Sequence, residues 1–159
     1  MKKCKLLITD LDGTLIETLS GDTFPKGIWD MKLKLYVFEA IKNYAPDDIL
    51  IISNQGGIEK GFVDKEMFEY KSSALEDYTN ISVYNFYCDN NDKDNINRKP
   101  NTGMIDQYMD YIKFINDNVD EENKIIYDTI MMIGDASGKE GQFSDSDKKT
   151  AENFGYGCG

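Results

Sequence analysis

The chain has 159 residues, 40% hydrophobic and 30% charged, a size and balance that predict a single domain over residues 1–159 with one core. It contains no histidine, which excludes imidazole bases, Ser-His-Asp and Cys-His machinery and histidine-bearing zinc sites; its three cysteines, Cys4, Cys88 and Cys158, are too few for a four-cysteine zinc site. With a net charge of −11 and a single arginine, Arg98, the chain as a whole repels polyanions.

No stretch reaches the roughly 18 to 20 apolar residues of a membrane span. The lysine-rich start, Met1 to Lys5, is followed by too few apolar residues for the core of an export signal. The cysteines are widely spaced and odd in number, which predicts free thiols in a reducing, cytoplasmic setting.

Residues 5–10 read as a first strand, in which Leu6-Leu7-Ile8 runs up to Asp10 and Asp12, with Gly13 and Thr14 directly after. Residues 13–31 hold Gly13, Gly21, Pro25 and Gly27 and read as an irregular loop or short flap. Over 32–44, Leu33, Val37, Ala40, Ile41 and Tyr44 recur at helical spacing, and Pro46 ends that helix. Asp48 to Ser53 carries Ile49-Leu50-Ile51-Ile52, a buried strand closing on the polar turn Asn54-Gln55-Gly56-Gly57. Residues 64–78 predict a helix capped by Asp64, and 81–88 alternate as a strand. A polar loop over 89–100 leads to a helix near 102–116, followed by an acidic, amide-rich connection at 117–124. Ile130 to Ile133 is a further strand ending at Gly134-Asp135, and a glycine-containing loop precedes a helix near 146–154. The tail from Phe154 to Gly159 is too short for another strand and helix, so a last sheet strand would be vestigial. This alternation predicts an α/β fold with a largely parallel sheet in three layers.

Open α/β sheets bind ligands at the carboxyl ends of their strands. Polar groups from four segments are predicted there: Asp10 and Asp12, Ser53, Lys99 after its loop, and Asp135. Each alone has an ordinary role as turn former, helix cap or surface charge. Together they match phosphoryl transfer, where an anionic nucleophile meets an anionic phosphoryl group. A cation, a lysine and backbone donors must then offset the repulsion. Without histidine or clustered cysteine the cation is a hard, oxygen-bound one, magnesium first.

The stretch Asp10-Leu-Asp-Gly-Thr-Leu resembles motif I of the haloacid-dehalogenase-like (HAD) phosphohydrolases. That resemblance implies a three-layer Rossmann-like HAD fold without a large cap domain, with Asp10 as nucleophile and Asp12 as general acid/base. Ile52-Ser53-Asn54-Gln55 looks like motif II, in which Ser53 and Asn54 bind the transferring phosphoryl group; Gly13, Thr14 and Arg98 are assigned to substrate binding on the same ground. Arg98-Lys99-Pro100 looks like motif III, whose lysine neutralises the nucleophile and phosphoryl oxygens. Gly134-Asp135 looks like motif IV, implying that Asp135 holds magnesium with Asp10 and the Asp12 backbone carbonyl. For the second acid of that motif, Phe143-Ser-x-x-Asp favours Asp147 with Asp145 as alternate. Either could ligate directly, orient Lys99 or metal-bound water, or cap a helix.

The order of Ser20 to Pro25, Asn54 to Ile58, Arg98 to Met104, Gly134 to Lys139 and Phe143 to Asp147 is similar to the polynucleotide kinase 3′-phosphatase family, which removes 3′-terminal phosphates from damaged DNA ends. Sugar and histidinol phosphatases of the same branch match less well. Several of them carry a cysteine and histidine zinc loop, and here Cys88 to Arg98 has one cysteine and no histidine. The resemblance implies a 3′-phosphorylated nucleic-acid end as substrate. Alternatives are a small phosphorylated metabolite, which the acidic composition favours, and a binding module without turnover. Lys26, Lys60, Lys93, Arg98, Lys139 and Lys148 fall in segments expected near the site, either as a local positive rim or as solvated charges. Phe24, Trp29 and Phe62 are candidates for stacking on a terminal base, with burial in the core or under the flap expected for at least two of them.

Overall fold

Alternating apolar residues set the architecture. The computed structural model describes residues 1–155, in the order β1 (Lys2–Thr9), β2 (Ile16–Glu17), β3 (Lys32–Leu33), α1 (Leu35–Tyr44), β4 (Asp48–Asn54), α2 (Gly56–Glu59), α3 (Lys65–Thr79), β5 (Ser82–Cys88), α4 (Gly103–Asp117), a 3-10 turn (Glu121–Asn123), β6 (Ile125–Ile133) and α5 (Ser146–Phe154). Four strands form one parallel sheet in the order β5-β4-β1-β6. Leu6 and Ile8 of β1, with Leu50 and Ile52 of β4, pack against Met104, Ile105, Tyr108 and Ile112 of α4 and Ala151 of α5. Leu7, Ile49 and Ile51 face the other way, toward Phe38 and Ile41 of α1 and Phe68 and Leu75 of α3. The period of two therefore feeds two cores, one on each face, which is why both central strands read as unbroken apolar runs. Each such side chain, fully buried, stabilises the fold by about 1.5–3 kcal/mol.

The three-layer α/β expectation holds, with differences that trace to pairing. The first helix starts at Leu35 rather than near 32, because Lys32–Leu33 pair antiparallel with Ile16–Glu17. The Lys32–Glu17 ion pair at 3.0 Å lies on that ribbon. Ala45, left-handed at φ 53°, closes α1 with its N–H on the Ile41 carbonyl, just ahead of Pro46. A short helix, α2, replaces the simple polar turn expected at 54–57. Asp64 caps α3 as expected, accepting the Glu66 N–H at 3.1 Å. The last strand begins at Ile125 rather than Ile130. Its register against β1 steps from Cys4↔Tyr127 to Lys5↔Thr129, so the polar Asp128 sits in a bulge that hid the strand's first half. The expectation for the tail lies, from Tyr156 onward, outside the described residues, as does Cys158; Cys4 and Cys88 are free. Among the described residues no helix is long and apolar enough to cross a membrane.

The β2–β3 ribbon pinches off residues 18–31 as a flap, and one buried carboxylate organises it. Asp30 accepts the Ser20 N–H at 2.8 Å, the Ser20 hydroxyl at 2.7 Å and the Lys26 N–H at 2.9 Å. Burial pushes its pKa up, but these donors outweigh burial and bring it down to about 2. The folded carboxyl thus titrates below its unfolded value, so it stabilises the flap above about pH 4. That contribution is lost as pH falls through about 2. Asp30→Asn is expected to lower the Tm at neutral pH and to expose residues 18–31 to protease, with the Tm difference shrinking below pH 4. An unchanged cleavage rate at neutral pH would rule this out.

The expected burial of the flap aromatics is not observed. Phe24, Trp29 and Phe62 are all substantially exposed. Phe24 and Phe62 pack on each other with ring centroids 5.0 Å apart, across from Gly57 and Val63. These three aromatics pack against neither core cluster.

Candidate active site

The carboxyl ends of β1, β4 and β6 lie side by side because the sheet is parallel and in register, with Thr9 opposite both Ile51 and Ile133. Each strand delivers its polar group there. Asp10 follows β1 directly, its N–H bonded to the Ile133 carbonyl at 3.2 Å. Ser53 and Asn54 end β4, and Asp135 lies two residues past β6. Lys99 arrives from the loop before α4 and is buried.

Lys99 Nζ donates to Asp10 Oδ1 at 2.9 Å and to Asp147 Oδ1 at 2.5 Å. Asp147 is fully buried in the first turn of α5, and its other oxygen accepts the Ala136 N–H at 3.0 Å. Burial pushes the Asp10 carboxyl up to about 6, against the opposing pull of the Lys99 ammonium. Burial acts to lower the Lys99 pKa, yet the two carboxylates outweigh it and hold the ammonium above its ordinary value. Asp135 is also raised, by burial first and the nearby Asp147 second.

Oxygens of Asp10, Asp135 and Asp147 all lie within 4.8 Å of one another. Asp135 Oδ1 is buried with no hydrogen-bond partner, and an orphaned carboxylate oxygen among two others calls for a cation. An all-oxygen donor set suits a hard divalent ion such as magnesium. Gly13, left-handed at φ 83°, lies so close to Asp135 that a Cβ there would collide with its carboxylate.

Asp10, Asp12, Ser53, Asn54, Arg98, Lys99, Asp135, Asp145 and Asp147 all line one cleft of about 690 Å³. Within it their surroundings differ. Asp145 is half-exposed and pairs with Lys149 at 2.8 Å, whereas Asp147 reaches the buried cluster. Asn54 exchanges both amide groups with Lys99: its Nδ2 donates to the Lys99 carbonyl at 3.1 Å and its Oδ1 accepts the Lys99 N–H at 2.9 Å. Its side chain thus braces the lysine loop. Arg98 donates to the Asn90 carbonyl at 2.8 Å. Gly13 and Thr14, expected at the substrate, do not line the cleft, because the left-handed Gly13 turns the chain back against Asp135.

Of the six basic residues expected near the rim, Lys93 and Arg98 line the cleft. Lys26 pairs with Asp22 and Lys148 with Glu152, while Lys60 and Lys139 do not line it. Phe143, 83% exposed, and Lys149 stand on the wall instead.

Sequence reasoning passed over three residues near the reacting groups. Gln55 Nε2 donates to Asp12 Oδ2 and to Ser53 Oγ, both at 2.7 Å, joining the first two polar turns. Lys71 Nζ lies 4.0 Å from Asp12 Oδ1. Lys34 Nζ donates to the Gly13 carbonyl at 2.6 Å. Gln55 was legible as the next polar side chain of its turn, and Lys71 as a lysine in the apolar stripe of a predicted helix; Lys34 carried no signal.

A family model described as Polynucleotide kinase 3 phosphatase matches residues 5–157. A bifunctional polynucleotide phosphatase/kinase of Schizosaccharomyces pombe is 33% identical over 165 residues, covering 98% of this chain and 36% of that protein. The chain therefore spans about a third of that relative's length. A HAD-like phosphatase structure from Mesorhizobium loti superposes with a TM-score of 0.67 at 18% identity, covering 97% of this chain and 70% of the other. The D,D-heptose 1,7-bisphosphate phosphatase of B. bronchiseptica, solved with magnesium and phosphate, superposes at 0.64 with 21% identity, covering 97% and 78%.

Proposed function

The chain belongs to the polynucleotide kinase 3 phosphatase family, within the HAD-like phosphatases, and from that premise we propose that it is a magnesium-dependent phosphomonoesterase acting on 3′-phosphorylated nucleic-acid ends through a phosphoaspartate at Asp10. The observation that carries the chemistry is the buried Asp10 carboxylate, tied to Lys99 at 2.9 Å, beside the unpartnered Asp135 oxygen.

In this reading Asp10 attacks phosphorus while Lys99 offsets the meeting of two anions. Asp12 gives its proton to the departing oxygen and then takes one from the water that hydrolyses the phosphoaspartate. Ser53 holds a phosphoryl oxygen, Asn54 braces the lysine loop, and Asp147 holds Lys99 in place. Asp10, Asp135 and the Asp12 carbonyl would hold magnesium, which supplies positive charge to the phosphoryl oxygens. A cleft without a closing cap, walled by Lys93, Arg98 and the exposed Phe143, suits the end of a polymer.

The test is phosphate release with magnesium from a 3′-phosphorylated oligonucleotide, a 5′-phosphorylated one and small phosphate esters. The expected result is selective release from the 3′ end, lost on adding a chelator and weakened steeply by salt. The net charge of −11 favours the rival, a small phosphorylated metabolite. Preference for a small ester, indifferent to salt, would establish that rival and discard the nucleic-acid assignment.

A further inference from the structure

Helix α3 turns a lysine inward. Its buried residues are Phe68, Lys71, Ser72 and Leu75, the spacing of a core-facing stripe, and Lys71 is 4% exposed. A lysine whose stem is packed on a core-facing stripe leaves its ammonium few partners, so an anion close by matters. Among the described residues Asp12 is the only carboxylate within ion-pair distance, with Oδ1 at 4.0 Å, and the ammonium makes no hydrogen bond to the protein. A contact of that length holds a charge without consuming the oxygen's hydrogen-bonding capacity.

The other oxygen of Asp12 is taken. Gln55 donates to Oδ2 at 2.7 Å and is itself buried and braced on Ser53. Gln55 thus fixes one side of the carboxylate, leaving Oδ1 free, and the half-exposed Asp12 side chain opens on the cleft. Phe68 and Leu75 on the same stripe pack in the core, so Lys71 stands out as a charge on an apolar face of α3.

We propose that Lys71 is a positioning residue for the leaving-group side of the reaction, its ammonium holding Asp12 Oδ1 toward the departing oxygen. This rests on the phosphatase reading above. In the step concerned, the bond from Asp10 to phosphorus forms and the bond from phosphorus to the leaving oxygen breaks. The electron pair stays on that oxygen, which takes the proton from Asp12. The alcohol departs, and the carboxylate left on Asp12 faces Lys71. A leaving group that departs as a stable anion needs no such proton, so the role of Lys71 depends on the leaving group.

The experiment compares wild type, Lys71→Met and Lys71→Gln in single-turnover phosphorylation by three magnesium-supplemented esters: thymidine 3′-monophosphate, thymidine 3′,5′-bisphosphate and p-nitrophenyl phosphate. The expected result is a fall of about 10- to 100-fold for both thymidine esters, with half-saturation concentrations unchanged, against less than about threefold in the nitrophenolate burst. An equal fall for all three esters would make Lys71 structural and overturn the proposal. So would a weaker affinity confined to the bisphosphate, which would make Lys71 a receptor for a second phosphate. If both variants unfold, the lysine serves the fold alone and the proposal fails. Wild type inert toward every ester would instead refute the phosphatase reading, and this inference with it.

Discussion

Asp10→Asn is expected to eliminate phosphate release, by about four orders of magnitude or more, while the chain stays folded. An amide lacks the anionic oxygen that attacks phosphorus, and the neighbouring Asp147 cannot take its place, since both its oxygens are engaged, by Lys99 and by the Ala136 N–H. The stability side has a definite sign. Burial raises the Asp10 carboxyl to about 6, above its unfolded value, so its ionised form weakens the fold at neutral pH. A neutral isostere removes that penalty, and Lys99 keeps Asp147 as its partner. The Tm of Asp10→Asn should therefore equal or exceed that of wild type. Turnover within about tenfold of wild type by the folded variant would remove Asp10 from the mechanism.

Lys99→Ala is expected to fail in both respects. Losing a donor aimed at the charged centre should slow turnover by about two to three orders of magnitude. The same change strands the Asp10 and Asp147 carboxylates, 11% and 0% exposed, close together without their cation. Breaking a buried ion pair on one side typically costs about 3–5 kcal/mol. For a chain of this size that is a Tm lower by about 6–20 °C. Magnesium should recover part of the stability, because a cation at Asp10 and Asp135 answers some of the stranded charge, but little of the rate. A rate within about threefold of wild type and an unchanged Tm would show Lys99 to be a bystander. The opposite stability effects of the two variants follow from one geometry: the site holds a surplus of buried carboxylates around a single buried lysine.

Much of this site was legible in the chain because its determinants are local. An apolar run of four residues or so makes a parallel strand, and the polar residue that stops it lies at the ligand-binding edge of the sheet. Asp10, Ser53 and Asp135 were all readable in that way, and Asp12 one residue further on. Lys99 has no strand before it and was legible only through its resemblance to a known motif. The bulge at Asp128 hid half of β6, since a single unpaired polar residue breaks the alternation that marks a strand. Leu33 fitted a helical period but pairs with Ile16, because the ribbon's cross-strand contact prevailed over a one-turn extension of α1.

What the sequence by itself determined is the α/β alternation, the absence of imidazole chemistry and the carboxylates at the strand ends. Each depends on residue identity and short-range period. Only the tertiary structure shows how differently Asp145 and Asp147, two residues apart on the entry to α5, are placed. The approach of that helix to Ala136 buries one and leaves the other with Lys149. It also decided that Phe24, Trp29 and Phe62 remain exposed and that Lys71, fifty-nine positions from Asp12, meets it across the end of the sheet. Such outcomes turn on how separate elements pack, and no local pattern of side chains encodes the distance between two elements that meet only on folding.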